Sequence, residues 1–68
     1  MEKRWITILN YSVGEVNIYE IIGNALKKYY ELCQEEFIEE VVGLNSNEVS
    51  WMFTSNEPHI TNEVLTLK

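Results

Sequence analysis

Residues 4–19 read RWITILNYSVGEVNIY, and this stretch decides the fold because it contains two strand patterns joined by a short turn. Its first eight residues are rich in β-branched and aromatic side chains, and residues 15–19 alternate polar and apolar side chains, so both predict β-strands. Ser12-Val13-Gly14 lies between them. A three-residue hairpin loop usually ends in a left-handed residue, which glycine adopts without steric cost. The stretch therefore predicts a β-hairpin with Tyr11 opposite Glu15.

This register sorts the hairpin side chains into an aliphatic side and an aromatic side, because successive strand residues point to opposite faces. The aliphatic side, which we expect to carry a helix, contains Ile6, Ile8, Val16 and Ile18. The aromatic side contains Trp5, Leu9, Tyr11 and Tyr19.

Residues 24–42 change to a helical period, with apolar side chains every three or four residues, which predicts one amphipathic helix. Asn24 is a suitable N-terminal cap, and Gly43 supplies a left-handed end. A break near Cys33-Gln34, giving two shorter helices, is the alternative. The apolar stripe contains Leu26, Tyr29, Tyr30, Cys33, Phe37, Ile38, Val41 and Leu44.

A third strand is predicted over residues 49–54, where Val49, Trp51 and Phe53 share one face. We expect this strand to pair beside the first strand and to lie under the helix. For residues 63–67, a short fourth strand is the alternative to a frayed tail. The predicted fold class is α+β, a three-stranded or four-stranded antiparallel sheet with one amphipathic helix packed on one face, in the order ββαβ(β). Residues 1–68 are expected to form a single domain.

The composition limits the classes of partner. Eleven acidic and five basic residues give a net charge of −6, which repels phosphate backbones, so direct binding of nucleic acid is not expected. No run approaches the roughly 18 apolar residues of a membrane span, and residues 1–4 lead into a strand without the apolar stretch of a signal peptide. These features predict a cytoplasmic protein that does not contact the membrane.

The aromatic side of the hairpin is the first candidate functional surface. Aromatic side chains dominate interface hot spots, and an uncovered group of them forms a larger patch than a monomer usually exposes. We therefore expect Trp5, Leu9, Tyr11 and Tyr19 to bind a protein partner or a second copy of the chain. The alternative is that the C-terminal segment covers this side with Ile60, Val64, Leu65 and Leu67.

A run of glutamates on the predicted helix is the second candidate surface, and it comprises Glu31, Glu35, Glu36, Glu39 and Glu40. Like charges four residues apart are mildly destabilising. A solvated face is one explanation, and the others are contact with a basic partner, mimicry of nucleic-acid charge, or calcium binding. Calcium fits least, because its loops place their ligands on non-helical backbone around a glycine.

The residues give no support for catalysis, and we expect neither enzyme activity nor a cofactor. A single cysteine and a single histidine exclude an internal disulfide and make a four-ligand zinc site implausible. Cys33 falls on the apolar stripe, where it is expected to pack in the core, and His59 follows the only proline in a predicted loop. The three isolated glycines form no phosphate-binding loop.

Residues 3–19 (KRWITILNYSVGEVNIY), together with Ser50-Trp51-Met52-Phe53-Thr54, resemble a group of short uncharacterised bacterial proteins that occur among phage and mobile-element genes. That group has no assigned activity, so the resemblance assigns no catalytic or binding residue. It implies a small acidic accessory protein that binds a host protein or an element-encoded protein. From the aromatic side of the hairpin, we expect a non-enzymatic interaction module. An acidic inhibitor or nucleic-acid mimic acting through residues 31–40 is the alternative.

Overall fold

The computed structural model describes residues 2–59 and 63–68. The secondary-structure elements are β1 Arg4–Asn10, β2 Glu15–Ile21, α1 Gly23–Glu31, α2 Gln34–Phe37, a π-helical turn Ile38–Val42, a 3-10 turn Ser46–Glu48, β3 Val49–Thr54 and β4 Val64–Leu67. The strands form a mixed sheet in the order β3-β1-β2-β4. The predicted α+β class is therefore confirmed, with two α-helices in place of one.

The hairpin of β1 and β2 closes through a four-residue turn, residues 11–14, instead of the predicted three-residue loop. Asn10 lies opposite Glu15, and the Gly14 amide donates to the Asn10 carbonyl at 2.8 Å. The Asn10 side chain stabilises this turn, since its Oδ1 accepts from the amide of Ser12 at 3.1 Å and from its hydroxyl at 2.7 Å. Tyr11 is thereby drawn out of the strand. The predicted register is wrong by one residue.

The shift changes which β2 side chains face the helices. Ile6 lies opposite Tyr19, and Thr7 lies opposite Ile18; opposed residues share a face of the sheet. Tyr19 therefore lies on the helix side with Ile6, and Ile18 lies on the other side. The predicted position of Ile18 under the helix is wrong, and so is that of Val16.

The side of the sheet that faces away from the helices is called the outer face below. It comprises Trp5, Thr7, Leu9, Val16, Ile18, Glu20, Ser50, Met52, Thr54, Val64 and Thr66.

The helical region is divided because the backbone is extended at Leu32 (φ −104°, ψ 154°) and at Cys33 (φ −71°, ψ 164°). The alternative of a break near Cys33-Gln34 is confirmed, and a continuous helix is wrong. α1 begins without a side-chain cap, so the predicted capping by Asn24 is wrong. Gly43 ends the π-helical turn at φ 83°, as predicted. No helix in the described part of the chain combines the length and apolarity needed to cross a membrane.

β4 confirms the predicted fourth strand, but it runs parallel to β2, so the prediction of an all-antiparallel sheet is wrong. β3 pairs antiparallel beside β1, as predicted. β3 and β4 lie at opposite edges of the sheet. Both run in the direction of β2, since β2 and β3 are each antiparallel to β1 and β4 is parallel to β2. Ile60, predicted to cover the aromatic side, lies outside the described residues.

A buried apolar cluster joins the sheet to the helices. Phe37 is 1% exposed, and its ring centroid lies 5.6 Å from that of Phe53 in an edge-to-face contact. Fully burying a side chain of this size contributes about 1.5–3 kcal/mol, so this contact is a main source of stability. Val49, Trp51 and Phe53 face the helices as predicted. The cluster contains Ile6, Ile8, Ile21, Ala25, Phe37, Ile38 and Val49.

Candidate interaction surfaces

The four side chains predicted to bind a partner do not form one surface. Trp5 and Leu9 lie on the outer face, whereas Tyr19 packs against the buried cluster on the helix side. Tyr11 belongs to the hairpin turn and is 65% exposed. The cause is the four-residue turn, because a register change of one residue moves every β2 side chain to the opposite face. The binding role of these residues stays a prediction.

The outer face combines exposed apolar side chains with almost no charge. Leu9, Val16 and Met52 are 37%, 42% and 65% exposed, and we call these three residues the outer patch. Glu20 is the only charged residue among the described residues of the outer face, and its Oε1 lies 3.6 Å from the Lys3 ammonium. The outer patch is therefore apolar surface without a charged side chain of its own.

Met52 was not among the residues predicted to bind a partner, although the pattern of β3 indicates where its side chain lies. The alternation that places Trp51 under the helices also places Met52 on the opposite face. The residues around Val16 do not indicate that it lies on the same face as Met52, because the face of Val16 depends on the length of the hairpin turn.

Trp5 lies on the outer face at the end opposite the hairpin turn, and it is half-buried. Its indole nitrogen, Nε1, is buried and has no hydrogen-bond acceptor among the described residues. An unpaired buried donor costs about 1–3 kcal/mol. Trp5 therefore contributes apolar contact area to this face and no polar bond.

The predicted glutamate face is exposed, but it extends over two helices. Glu31 ends α1, and the other four carboxylates lie on α2 and on the π-helical turn. The break after Glu31 removes the helical spacing that would have placed it one turn from Glu35. Glu39 has a local partner, since its Oε2 accepts from the Ser46 hydroxyl at 2.9 Å. Together the five carboxylates form a surface that favours cations.

The single cysteine and the single histidine, for which no catalytic role is predicted, are both on the surface. Cys33 is exposed, so the prediction that it packs in the core is wrong. The extended backbone at the break turns it out of the apolar stripe, and its Sγ donates to Glu36 Oε1 at 3.2 Å. His59 is exposed outside any helix or strand, as predicted. Across residues 2–59 and 63–68, no group of three or more His, Cys, Asp or Glu is placed to hold a metal ion.

Contacts of Arg4 fasten the start of β1 to α1. Its Nη2 lies 2.9 Å from Glu2 Oε1, and its guanidinium carbon lies 5.9 Å from the ring centroids of Tyr29 and Tyr30. The Tyr30 hydroxyl donates to the same Glu2 carboxylate. This hydrogen bond is the main reason why the pKa of Tyr30 lies above its ordinary value of 10.0.

Charge is unevenly distributed over the fold. Residues 29–67 contain no lysine or arginine but eight of the eleven carboxylates. The five basic residues lie at the start of β1, on α1 and after β4. Lys68 is held beside the start of α1, because the Ile22 amide donates to the Leu67 carbonyl at 2.9 Å. The region of α2, the π-helical turn and β3 therefore has carboxylates and no basic side chain.

A shallow concavity of about 380 Å³ lies where the hairpin turn meets the start of β3. The Tyr11 amide donates to the Glu48 carbonyl at 3.0 Å, which holds the turn beside β3. The Trp51 indole is held from the other side, since its Nε1 donates to Gln34 Oε1 at 3.2 Å. Two aromatic rings at the rim of an acidic region suit a cation. The concavity is lined by Tyr11, Ser46, Val49, Ser50 and Trp51.

No protein family, no curated protein and no solved structure matches the chain. The resemblance of residues 3–19 and 50–54 to short phage and mobile-element proteins stays a prediction. The geometry of the surfaces described above is therefore the basis for a functional interpretation.

Proposed function

We infer that the chain is a non-enzymatic protein-interaction module that self-associates through its outer face. The observation that supports this is the outer patch, on which Leu9, Val16 and Met52 are exposed without a charged neighbour on the same patch. The centres of protein interfaces are depleted in charge, and contiguous exposed apolar surface marks sites of association.

A second copy is the occupant that this patch fits best. Each chain carries a net charge of −6, so contacts that bring the glutamate faces of two copies together are unfavourable. A two-fold contact between outer faces places apolar side chains against each other instead. Ile18 is already fully buried on the outer face, so this contact is confined to the outer patch. A chain of this length also gains stability from a partner, because its own core is small.

The size of the molecule limits how strong this contact is. Its broad side measures 33 Å by 27 Å, about 890 Å², which is comparable with the roughly 800 Å² that each partner contributes to an ordinary interface. Only part of that side is exposed and apolar. We therefore expect a weak dimer, with a Kd of about 10 µM to 1 mM.

Sedimentation equilibrium in the presence of a reducing agent tests the dimer, the reductant being needed because Cys33 is exposed. The mass of the wild type should rise from 8.0 kDa towards twice that value as the concentration approaches about 1 mM. Met52→Glu introduces a carboxylate at the most exposed position of the outer patch and should weaken the dimer by at least about tenfold. Leu65→Glu is the matched control, because Leu65 is 42% exposed on the helix side of β4.

A wild type that stays monomeric at every concentration would contradict the proposal. The same holds if Leu65→Glu weakens association as much as Met52→Glu does, because the effect would then come from net charge and not from the outer patch. Far-ultraviolet circular dichroism of both variants ensures that folded proteins are compared.

An acidic inhibitor or nucleic-acid mimic is the second candidate function. All five carboxylates of the glutamate face are exposed, and residues 29–67 contain no lysine or arginine. The resemblance to short mobile-element proteins also favours an accessory role. Ionic strength separates the two functions, since a charge-driven complex weakens steeply with salt, whereas an apolar dimer does not.

A further inference from the structure

The edge of β3 that faces away from β1 is a further candidate binding surface. Among the described strands, β3 pairs only with β1. The bond between the Tyr11 amide and the Glu48 carbonyl sets the phase of this ladder, so Ser50, Met52 and Thr54 direct their backbone groups at β1. The amides and carbonyls of Val49, Trp51 and Phe53 therefore point away from the sheet.

The β3 edge lacks the features that usually prevent strand addition. Natural edge strands are often shortened, bulged or occupied by lysine or proline. β3 pairs over six consecutive residues without a bulge, and its sequence VSWMFT contains no charged residue and no proline. An extended segment of another chain can therefore continue the sheet at this edge.

The surroundings of β3 select the charge of such a segment. Glu48 directly precedes β3, and Glu39 is linked to Ser46, which lines the concavity at the start of β3. No lysine or arginine lies on β3 or on the elements from α2 to its start. The rings of Tyr11 and Trp51 also line the concavity, and aromatic rings attract lysine and especially arginine side chains.

We propose that the β3 edge binds an extended basic segment of a protein partner as an added strand, with one arginine or lysine side chain in the Tyr11–Trp51 concavity. A second copy of this chain is a poorer occupant, because it would bring the same carboxylates to the same edge. The site differs from the outer-patch dimer, so the proposal does not depend on self-association.

A synthetic peptide of alternating arginine and threonine tests the proposal, with a peptide that has glutamine in place of arginine as its control. Hydrogen exchange of the backbone amides is the decisive readout. Binding of the arginine peptide should slow exchange at Val49, Trp51 and Phe53, whose amides point outward. Exchange at Ser50 and Met52 should change little, because β1 already protects these amides.

Two variants with matched controls test the concavity. Tyr11→Ser should weaken binding of the arginine peptide about two- to fivefold, the range expected for an exposed cation–π contact. Tyr30→Ser removes a ring of similar exposure, 56%, from α1 and should leave binding unchanged. Glu48→Gln should weaken binding by up to about fivefold, whereas Glu15→Gln, at the start of β2, should have a smaller effect.

Several results would overturn the proposal. One is an arginine peptide that does not bind, or that binds no more tightly than the glutamine peptide. Another is binding that leaves exchange at the outward β3 amides unchanged, which would place the peptide on the glutamate face instead. Protection of the same amides by raising the protein concentration alone would make a second copy the occupant. Self-association is measured by sedimentation of the protein alone and peptide binding by hydrogen exchange, so the failure of one proposal can be told apart from the failure of the other.

Discussion

Replacing Phe37 with leucine tests whether this ring joins the helices to the sheet. The side chain is 1% exposed. Its ring lies 6.3 Å from Tyr29 of α1, at an interplanar angle of 86°, and 5.6 Å from Phe53 of β3, at 76°. Leucine keeps most of the apolar volume and loses both edge-to-face contacts, which contribute about 0.5–1.5 kcal/mol each. We expect the free energy of unfolding to fall by about 2 kcal/mol.

That loss is large for a domain of this size, whose total stability is roughly 3–5 kcal/mol. Urea unfolding followed by tryptophan fluorescence measures it. With a slope of about 1 kcal/mol per molar urea for a small domain, the midpoint should fall by about 2 M. Met52→Leu is the control, because Met52 is 65% exposed, and its change should stay within about 0.5 kcal/mol.

Equal midpoints for wild type and Phe37→Leu, with equal slopes, would refute the reasoning, because the ring contacts would then contribute nothing measurable. A change in slope would point instead to an altered unfolded or native state. All proteins should be compared at one concentration, since association would stabilise the native state.

Three further predictions concern other parts of the molecule. The hydrogen bond to Glu2 raises the pKa of Tyr30 above 10.0. This contact therefore stabilises the fold fully below pH 10, and its contribution is lost as the pH rises through the raised pKa. Absorbance titration should show that Glu2→Gln lowers the pKa of Tyr30. Gly43→Ala should lower the free energy of unfolding by about 1–2 kcal/mol, because alanine is strained at the φ of 83° that this position adopts. No neighbour lies close enough to the added methyl group to increase that cost. An unchanged urea midpoint would argue against a left-handed residue there. The exposed thiol of Cys33 should react with Ellman's reagent in the native protein within about tenfold of its rate in urea, and stronger protection would place it in the core after all.

The sequence by itself determined the elements that depend on local preference. β-branched and aromatic residues specify β1 and β3 in any register, and the alternation around Trp51 places its ring and that of Phe53 against the helices. Gly43 ends the helical region because few other residues adopt a left-handed backbone at low cost. The glutamates of residues 31–40 are exposed because nothing in a small core would pair with them.

Tertiary structure alone decided the features on which the candidate surfaces depend. One residue more or less in the hairpin turn exchanges Tyr19 and Ile18 between the two faces, and both side chains are apolar enough to be buried on either side. The turn that the chain adopts depends on hydrogen bonds of the Asn10 side chain, which competes with continued pairing of Tyr11. The binding residues predicted on one surface were separated for this reason.

Tertiary structure also decided the helix break and the direction of β4. Periodicity runs through Leu32 and Cys33 without interruption, yet two short helices allow both Tyr29 and Phe37 to reach Phe53. β4 pairs with β2 at the edge far from β3, and neither this edge nor its parallel direction is specified by its own four residues. Local patterns specify which residues prefer a strand or a helix, whereas partners distant in the sequence decide which edge and which face each element occupies.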